Sequence, residues 1–176
     1  MIQTERLVLR KPRLEDADQL AAIFAEEETM RFVGGTVSAD ETCARIERMA
    51  ARWDRDGFGQ LLAERRDDGR IAGRFGIFTW ATDDWDTTED LTRPYELELG
   101  WLLGRDFHGF GYATEAAGAV RDWTIRTLSP PRLISLVNID NVASAAVARR
   151  LGCRSAGRVE TLRFGLSEVW VHGHQD

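Results

Sequence analysis

Between residues 95 and 115 a run with strand character, Tyr95–Leu103, empties into a glycine-rich turn, Arg105–Tyr112, and then into a helix that starts near Ala113. No other feature constrains the chain as much. A turn of this kind presents unpaired backbone N–H groups, and the helix dipole adds partial positive charge, so the junction suits an anion such as phosphate. Gly109 and Gly111 allow the backbone to approach a ligand without a Cβ between them. The same glycines also fit a plain tight turn. Two common phosphate loops fail on spacing. No Gly-Lys-Ser/Thr follows four spacer residues, which a Walker loop requires. A dinucleotide fingerprint needs Gly or Ala where Thr114 stands, and an acid about 20 residues on, where the chain reads Pro130-Pro131-Arg132-Leu133.

Around this segment, strand and helix signals alternate. Arg6–Arg10 is a short β-type run, and Ala17, Leu20, Ala21 and Phe24 mark one face of a helix, with Glu15 and Asp16 suited to its first turn. Ser38-Ala-Asp-Glu41 has capping-box spacing ahead of a stripe of Thr42, Ile46, Met49 and Trp53. Phe58–Arg65 and Arg70–Trp80 form a hairpin over Asp67-Asp68-Gly69. The helix after Ala113 carries Ala116, Val120, Trp123 and Thr127 on one stripe. Arg132–Asn138 is a strand, Asn141 to Leu151 a helix with Gly152 just past its end, and Arg154–Glu160 and Phe164–His172 close the chain as strands. The single β-α-β crossover makes its two strands parallel, among otherwise antiparallel neighbours.

There are no repeats or Gly/Ser/Pro linkers, and 176 residues are expected to form one domain, 1–176. No apolar run approaches the ~20 residues of a bilayer span, and the N-terminus lacks an apolar signal core. The expectation is a cytoplasmic protein with two reduced thiols, Cys43 and Cys153, and no membrane partner. Charge is uneven. The chain carries −6 overall, yet residues 121–163 hold eight arginines against three acids, a local +5. That balance disfavours nucleic acid and suits one anionic ligand held locally. His172-x-His174 is too small a set for a metal site, so no metal is expected. No Gly-x-Ser-x-Gly elbow supports a hydrolase triad.

His108-Gly-Phe-Gly-Tyr-Ala113 resembles the Arg/Gln-x-x-Gly-x-Gly/Ala signature of the GNAT N-acetyltransferase superfamily, and its continuation to Gly-Tyr-Ala-Thr-Glu-Ala116 is similar to the RimJ/RimL-type branch. Thr4–Arg10, Glu98-Leu-Gly-Trp101, Asn141-Val-Ala-Ser144 and Leu151-Gly152 are similar to further segments of that branch, in order along nearly the whole chain. His108, Arg149 and Cys153 depart from the usual residues. The resemblance implies an α/β (α+β mixed sheet) GNAT-like fold: a central, mostly antiparallel sheet with one splayed parallel strand pair and flanking helices. It implies acetyl-CoA as cosubstrate, with the pyrophosphate on the turn His108, Gly109, Phe110, Gly111, Tyr112, Ala113 and Thr114. The pantetheine arm would lie along Trp101, Leu102 and Leu103 and beside Asn141. Arg149 and Arg150 are candidates for the 3′-phosphate, although exposed helical arginines are often only solvated.

Acetyl transfer to an amine needs a base for the amine, a donor for the oxyanion and help for the departing sulfur. Glu96 and Glu98 share one strand face and either could be the base, since burial raises a carboxyl pKa. Glu98 is preferred by resemblance; an outward pair matched to a neighbouring arginine is the plain alternative. A backbone N–H near Trp101–Leu103 would serve the oxyanion. No tyrosine lies on the helix after Asn138, and by resemblance Ser144 takes the leaving-group position; otherwise it is a first-turn residue behind an Asn141 cap. The expected activity is transfer to a primary amine, on a protein N-terminus or a small molecule, by a monomer or homodimer. The alternative is a non-catalytic acyl-CoA-binding module of the same fold. The acidic loop Asp83–Asp90 is expected either to gather a cationic acceptor or to serve only solubility.

Overall fold

The computed structural model describes residues 1–173. Its strands are β1 (Ile2–Gln3), β2 (Leu7–Arg10), β3 (Gln60–Arg65), β4 (Ile71–Ala81), β5 (Tyr95–Leu103), β6 (Leu133–Asn138), β7 (Arg154–Thr161) and β8 (Gly165–Val171). Its helices are α1 (Ala17–Phe24), α2 (Glu27–Met30), α3 (Ala39–Asp56), α4 (Tyr112–Leu128) and α5 (Val142–Arg150). The strands form one sheet in the order β1-β2-β3-β4-β5-β6-β8-β7. Every neighbouring pair is antiparallel except β5 and β6, which run parallel. The expected mixed sheet is present. Only β1 and α2 were not anticipated, because two and four residues are too short to show a period. Among the described residues, no helix is long and apolar enough to cross a membrane.

Local signals explain the boundaries. The Ser38 hydroxyl accepts from the Glu41 N–H at the start of α3, and Gly57 ends that helix at φ +74°. Asn141 caps α5 by accepting from the Ser144 N–H at 3.0 Å. Asp16, expected as a first-turn acid, is instead buried and accepts from Arg10 at 2.6 and 2.8 Å and from the Arg13 N–H at 2.7 Å. The buried face of α4 runs through Ala116, Ala117, Val120, Arg121 and Thr124. Thr127 is therefore exposed rather than on the stripe. Arg121 draws the face round, donating to the Leu151 carbonyl at 2.9 Å.

The sheet separates two apolar cores. On one face, Leu62 and Leu102 pack with Leu20 and Phe24 of α1 and Ile46 and Met49 of α3. On the other, Leu97, Leu99 and Leu103 of β5 pack with Ala116, Ala117 and Val120 of α4. Register assigns the remaining β4 and β5 positions. Arg74, Gly76, Phe78 and Trp80 stand opposite Leu102, Gly100, Glu98 and Glu96, so all eight share the α1–α3 face.

The parallel ladder is short. Leu97 pairs with Leu133 and Glu98 with Ile134, and there it stops. At the fork the Ser135 hydroxyl donates to the Leu99 carbonyl at 2.6 Å. His172 Nε2 lies 2.9 Å from that hydroxyl, and Nδ1 lies 3.2 Å from Cys153 Sγ. A carbonyl only accepts, so the direction of the chain is settled: Cys153 S–H to Nδ1, Nε2–H to Ser135, Ser135 O–H to Leu99. Burial pushes the Cys153 thiol up to about 11 and the His172 imidazole down to about 4. Cys43 and Cys153 are both free thiols.

Candidate active site

The fork opens into a solvent-connected cleft of about 780 Å³, open solvent included, bounded by α3, β4, β5, β6, the start of α5 and the turn between β7 and β8. Glu98, Gly100 and Trp101 of β5 reach it, as do Asn141 and Ser144 at the start of α5. Gly100 is required there. A Cβ would stand 2.8 Å from the Phe78 ring and 3.1 Å from Glu98 Oε2, closing the space in front of the carboxylate. The Trp101 indole N–H donates to Ser144 Oγ at 3.3 Å, which leaves the serine's own proton free to serve another acceptor.

Glu98 and Glu96 share a face but not an environment. Glu98 is 6% exposed and has no ion-pair partner among the described residues; its Oε1 accepts only a long bond, 3.4 Å, from the Leu136 N–H. Burial pushes its carboxyl up to about 8, against the Leu136 bond, the charge of Arg74 and the neighbouring Trp80 indole. Glu96 accepts from Arg132 at 2.7 Å and lies outside the cavity wall. The arginine-matched arrangement thus holds for one glutamate only.

The glycine turn has the left-handed backbone its residues suit, with φ +84° at Gly109 and +81° at Gly111. A Cβ on Gly109 would meet nothing within 4 Å, and no side chain caps α4 at Gly111. The first N–H groups of α4, through Ala113 and Thr114, are therefore open to an anion. His108, the departure from the family signature, ties the turn down by donating from Nε2 to the Leu103 carbonyl at 2.9 Å. Phe110 is exposed and its ring lies 5.8 Å from that of the buried Tyr112. Leu102 is buried in the α1–α3 core, so only its backbone is available to a ligand. Arg149 and Arg150 are exposed at the far end of α5 and are not brought to the cavity; Arg149 stacks on Trp170 at 5.3 Å.

Sequence reasoning missed two features. The first is a clamp on the turn. Glu115 accepts from Thr4 Oγ1 at 2.5 Å and from the Arg6 N–H and guanidinium, while Arg6 also donates to the Phe110 carbonyl at 2.8 Å. Thr4-Glu-Arg6 and Thr114-Glu115 both fall within the motif segments, but nothing local says that they meet. The second is a set of arginines on the cavity wall: Arg45 of α3, Arg74 of β4 and Arg163 between β7 and β8. Conversely, the acidic loop is largely neutralised. Arg93 binds Asp83 and Asp84, and Arg55 binds Glu89 at 2.8 Å. Of the histidine pair, His172 belongs to the fork and His174 lies outside the described residues. No cluster of three metal-ligating side chains occurs among the described residues.

The Acetyltransferase (GNAT) domain family matches residues 6–154. An uncharacterized N-acetyltransferase p20 of Bacillus licheniformis is 28% identical over 160 residues, covering 89% of this chain and 83% of its own length. The crystal structure of an acetyltransferase from Agrobacterium tumefaciens superposes with a TM-score of 0.79 at 32% identity, covering 98% of this chain and 94% of that one. RimL, a ribosomal L7/L12 alpha-N-protein acetyltransferase solved with coenzyme A, shares the fold at 18% identity, with a TM-score of 0.76 over 96% of this chain and 94% of its own. The open helix terminus, the glycine turn and the unpaired stretch of β5 fit a long anionic thioester. This chain belongs to the GNAT acetyltransferase family and is an acetyl-CoA-dependent acyltransferase.

Proposed function

We propose that the chain, as a single domain and a member of the RimJ/RimL-type branch, moves the acetyl group of acetyl-CoA directly onto a primary amine, with Glu98 as general base. The observation that carries this is the buried, unpaired carboxyl at the mouth of the fork, with its pKa near 8. A base for an ammonium ion works best when its own pKa lies near the working pH. Glu98 takes the proton, directly or through a water; the nitrogen lone pair forms the C–N bond; the C–S bond breaks, and the sulfur leaves with its electron pair. A backbone N–H near Trp101–Leu103 steadies the oxyanion, and the free proton of Ser144 is available to the sulfur. The turn Gly109–Thr114 holds the pyrophosphate, and the Glu115–Arg6 clamp keeps that turn in place.

The test is thiol release from acetyl-CoA against a panel of amines that spans free protein N-termini and small molecules. Glu98→Gln should keep its affinity for coenzyme A and lose ~10²–10⁴ in turnover, with the deficit shrinking as pH rises and free amine becomes available. Glu96→Gln should stay near the parent, because its carboxylate is held by Arg132. Tight coenzyme A binding with no thiol release across the panel would instead make the chain a non-catalytic acyl-CoA-binding module. Equal turnover by Glu98→Gln would assign the deprotonation to another group.

A further inference from the structure

The proposed transfer leaves three arginines unused on the Glu98 side of the cavity. Arg74 shares the sheet face of Glu98 and lies four residues along β4 from Phe78, which stands opposite Glu98. At ~3.3 Å per residue their backbones are about 13 Å apart, and the two side chains border one cavity. The Arg74 guanidinium lies 5.9 Å from the Phe24 ring and 5.3 Å from that of Phe78. Among the described residues its one hydrogen-bond partner is the neutral side chain of Gln60, and its Nε is sealed from solvent without a partner. Arg45 flanks the same Phe24 ring and touches one acid, Glu41, which it shares with Arg48. Neither Arg74 nor Arg163 has a carboxylate within 4.0 Å among the described residues.

For Arg74 this is unlike the other arginines shielded from solvent, which have carboxylate partners. Arg10 is met by Asp16 and Glu64, Arg52 by Asp56 and Arg121 by Asp122. A guanidinium keeps its charge at any ordinary pH, and Arg74, half-buried without a counter-ion, carries that charge at a cost, while Arg45 and Arg163 stay partly or fully exposed. Burial first, then repulsion from Arg45 and, more weakly, Arg163, pushes Arg74 down to about 10 against the attraction of Glu98. Glu98 offsets the set only in part, because no ion pair joins them and its carboxyl is largely protonated near pH 7. Nor do these arginines belong to the pyrophosphate position, since the glycine turn leads into α4 on the opposite face of the sheet.

We infer that the acceptor is a small amine bearing an oxyanion, a carboxylate or a phosphate-type group, which Arg74 binds with Arg45 and Arg163 while Glu98 faces the amine. The inference rests on the amine-transfer reading and names the class of acceptor for that site. The cavity wall orders the two ends of such a molecule, cation to anion and carboxyl to amine. A neutral peptide terminus would leave the guanidinium as unpaired as it is now.

Matched acceptors test this. Amino acids are compared with their C-terminal amides, and aminoalkylphosphonates form a third arm. The acid or the phosphonate should exceed the amide at least about tenfold in kcat/KM, the scale of one charge-assisted contact, and the better of the two identifies the anion. Arg74→Gln should erase that preference through KM while sparing affinity for coenzyme A. Arg163→Gln, at an exposed turn where folding is not at risk, should reduce it several-fold. Equal kcat/KM for acid and amide, a preference for neutral peptide N-termini, or a weakened coenzyme A affinity in Arg74→Gln would each overturn the inference. If no amine is acetylated, calorimetry on the coenzyme A-loaded protein separates the two readings. Selective binding of the acid keeps the anion site while amine transfer falls; equal binding of acid and amide removes the anion site.

Discussion

The cavity wall and the loop at residues 82–94 carry charge of opposite sign, and they treat it in opposite ways. The loop holds five acids, and its acids are engaged by neighbours: Asp83 and Asp84 by Arg93, Glu89 by Arg55, Asp86 by the Thr87 N–H and Asp90 by Thr92. The Arg93 guanidinium holds Asp84 below the usual carboxylate range. The cavity has fewer ionisable groups, but the half-buried Arg74 has no carboxylate partner among the described residues and the buried Glu98 carboxyl is held largely neutral near pH 7. Counting acids along the sequence therefore points to the wrong region. A charge that already has a partner in water attracts little, whereas a half-buried one without a partner is screened less and acts more strongly on whatever enters.

Three experiments press on this contrast. The largest effect is expected where a charge is most isolated. Glu98 has a folded pKa raised to about 8 from an ordinary value of 4.5, so below about 4.5 both folded and unfolded states hold the proton and nothing is lost. From there up to about 8 the unfolded chain ionises first and stability drains away; above 8 the loss is complete. Glu98→Gln should thus stabilise the protein by on the order of a few kcal/mol near pH 8 and negligibly at pH 4, read as denaturation midpoints at the two pH values. An equal gain at both would mean that the carboxyl titrates normally, and the contrast would collapse.

Next is Gly100→Ala. Its Cβ must displace the Phe78 ring or the Glu98 carboxylate, and a displacement of about 1 Å at the base lowers kcat by up to ~10²-fold. Unchanged kcat would show that the carboxylate has slack. The smallest effect is expected in the loop. Asp83→Asn with Asp84→Asn should alter KM for the acceptor less than about twofold even at low salt, because Arg93 already cancels both charges. A clear rise in KM that fades as salt is added would restore the loop as a collector of cationic acceptors.

Most of the fold could be read from the chain because period-two and period-3.6 patterns are local. The range Tyr95–Leu103 and the caps at Ser38 and Asn141 needed no tertiary information. The stripe ending at Thr127 failed because Arg121, reaching the Leu151 carbonyl, sets the buried face of α4 from outside the helix. The site shows the same division. Period two places Glu96 and Glu98 on one face and cannot separate them; what does is Arg132, which stands just ahead of the parallel neighbour, 36 residues on. Arg74 could not be found at all. In Ile71–Ala81 an arginine between apolar residues reads as a solvated edge position, and only the register with Leu102 puts it on the inner face.

The relay of protons from Cys153 through His172 and Ser135 to Leu99 also affects how any titration of this enzyme is read. It is a fastener at the crotch of two diverging strands, and it is electrically silent. Its imidazole takes up a proton only near pH 4 and its thiol gives one up only near pH 11. Across the whole span between, the wedge keeps one tautomer and one shape while Glu98 changes state at its centre. Chemistry and scaffold are thereby uncoupled. A rate that climbs through pH 8 reports the carboxyl and the acceptor amine, and not a cleft that is opening or closing.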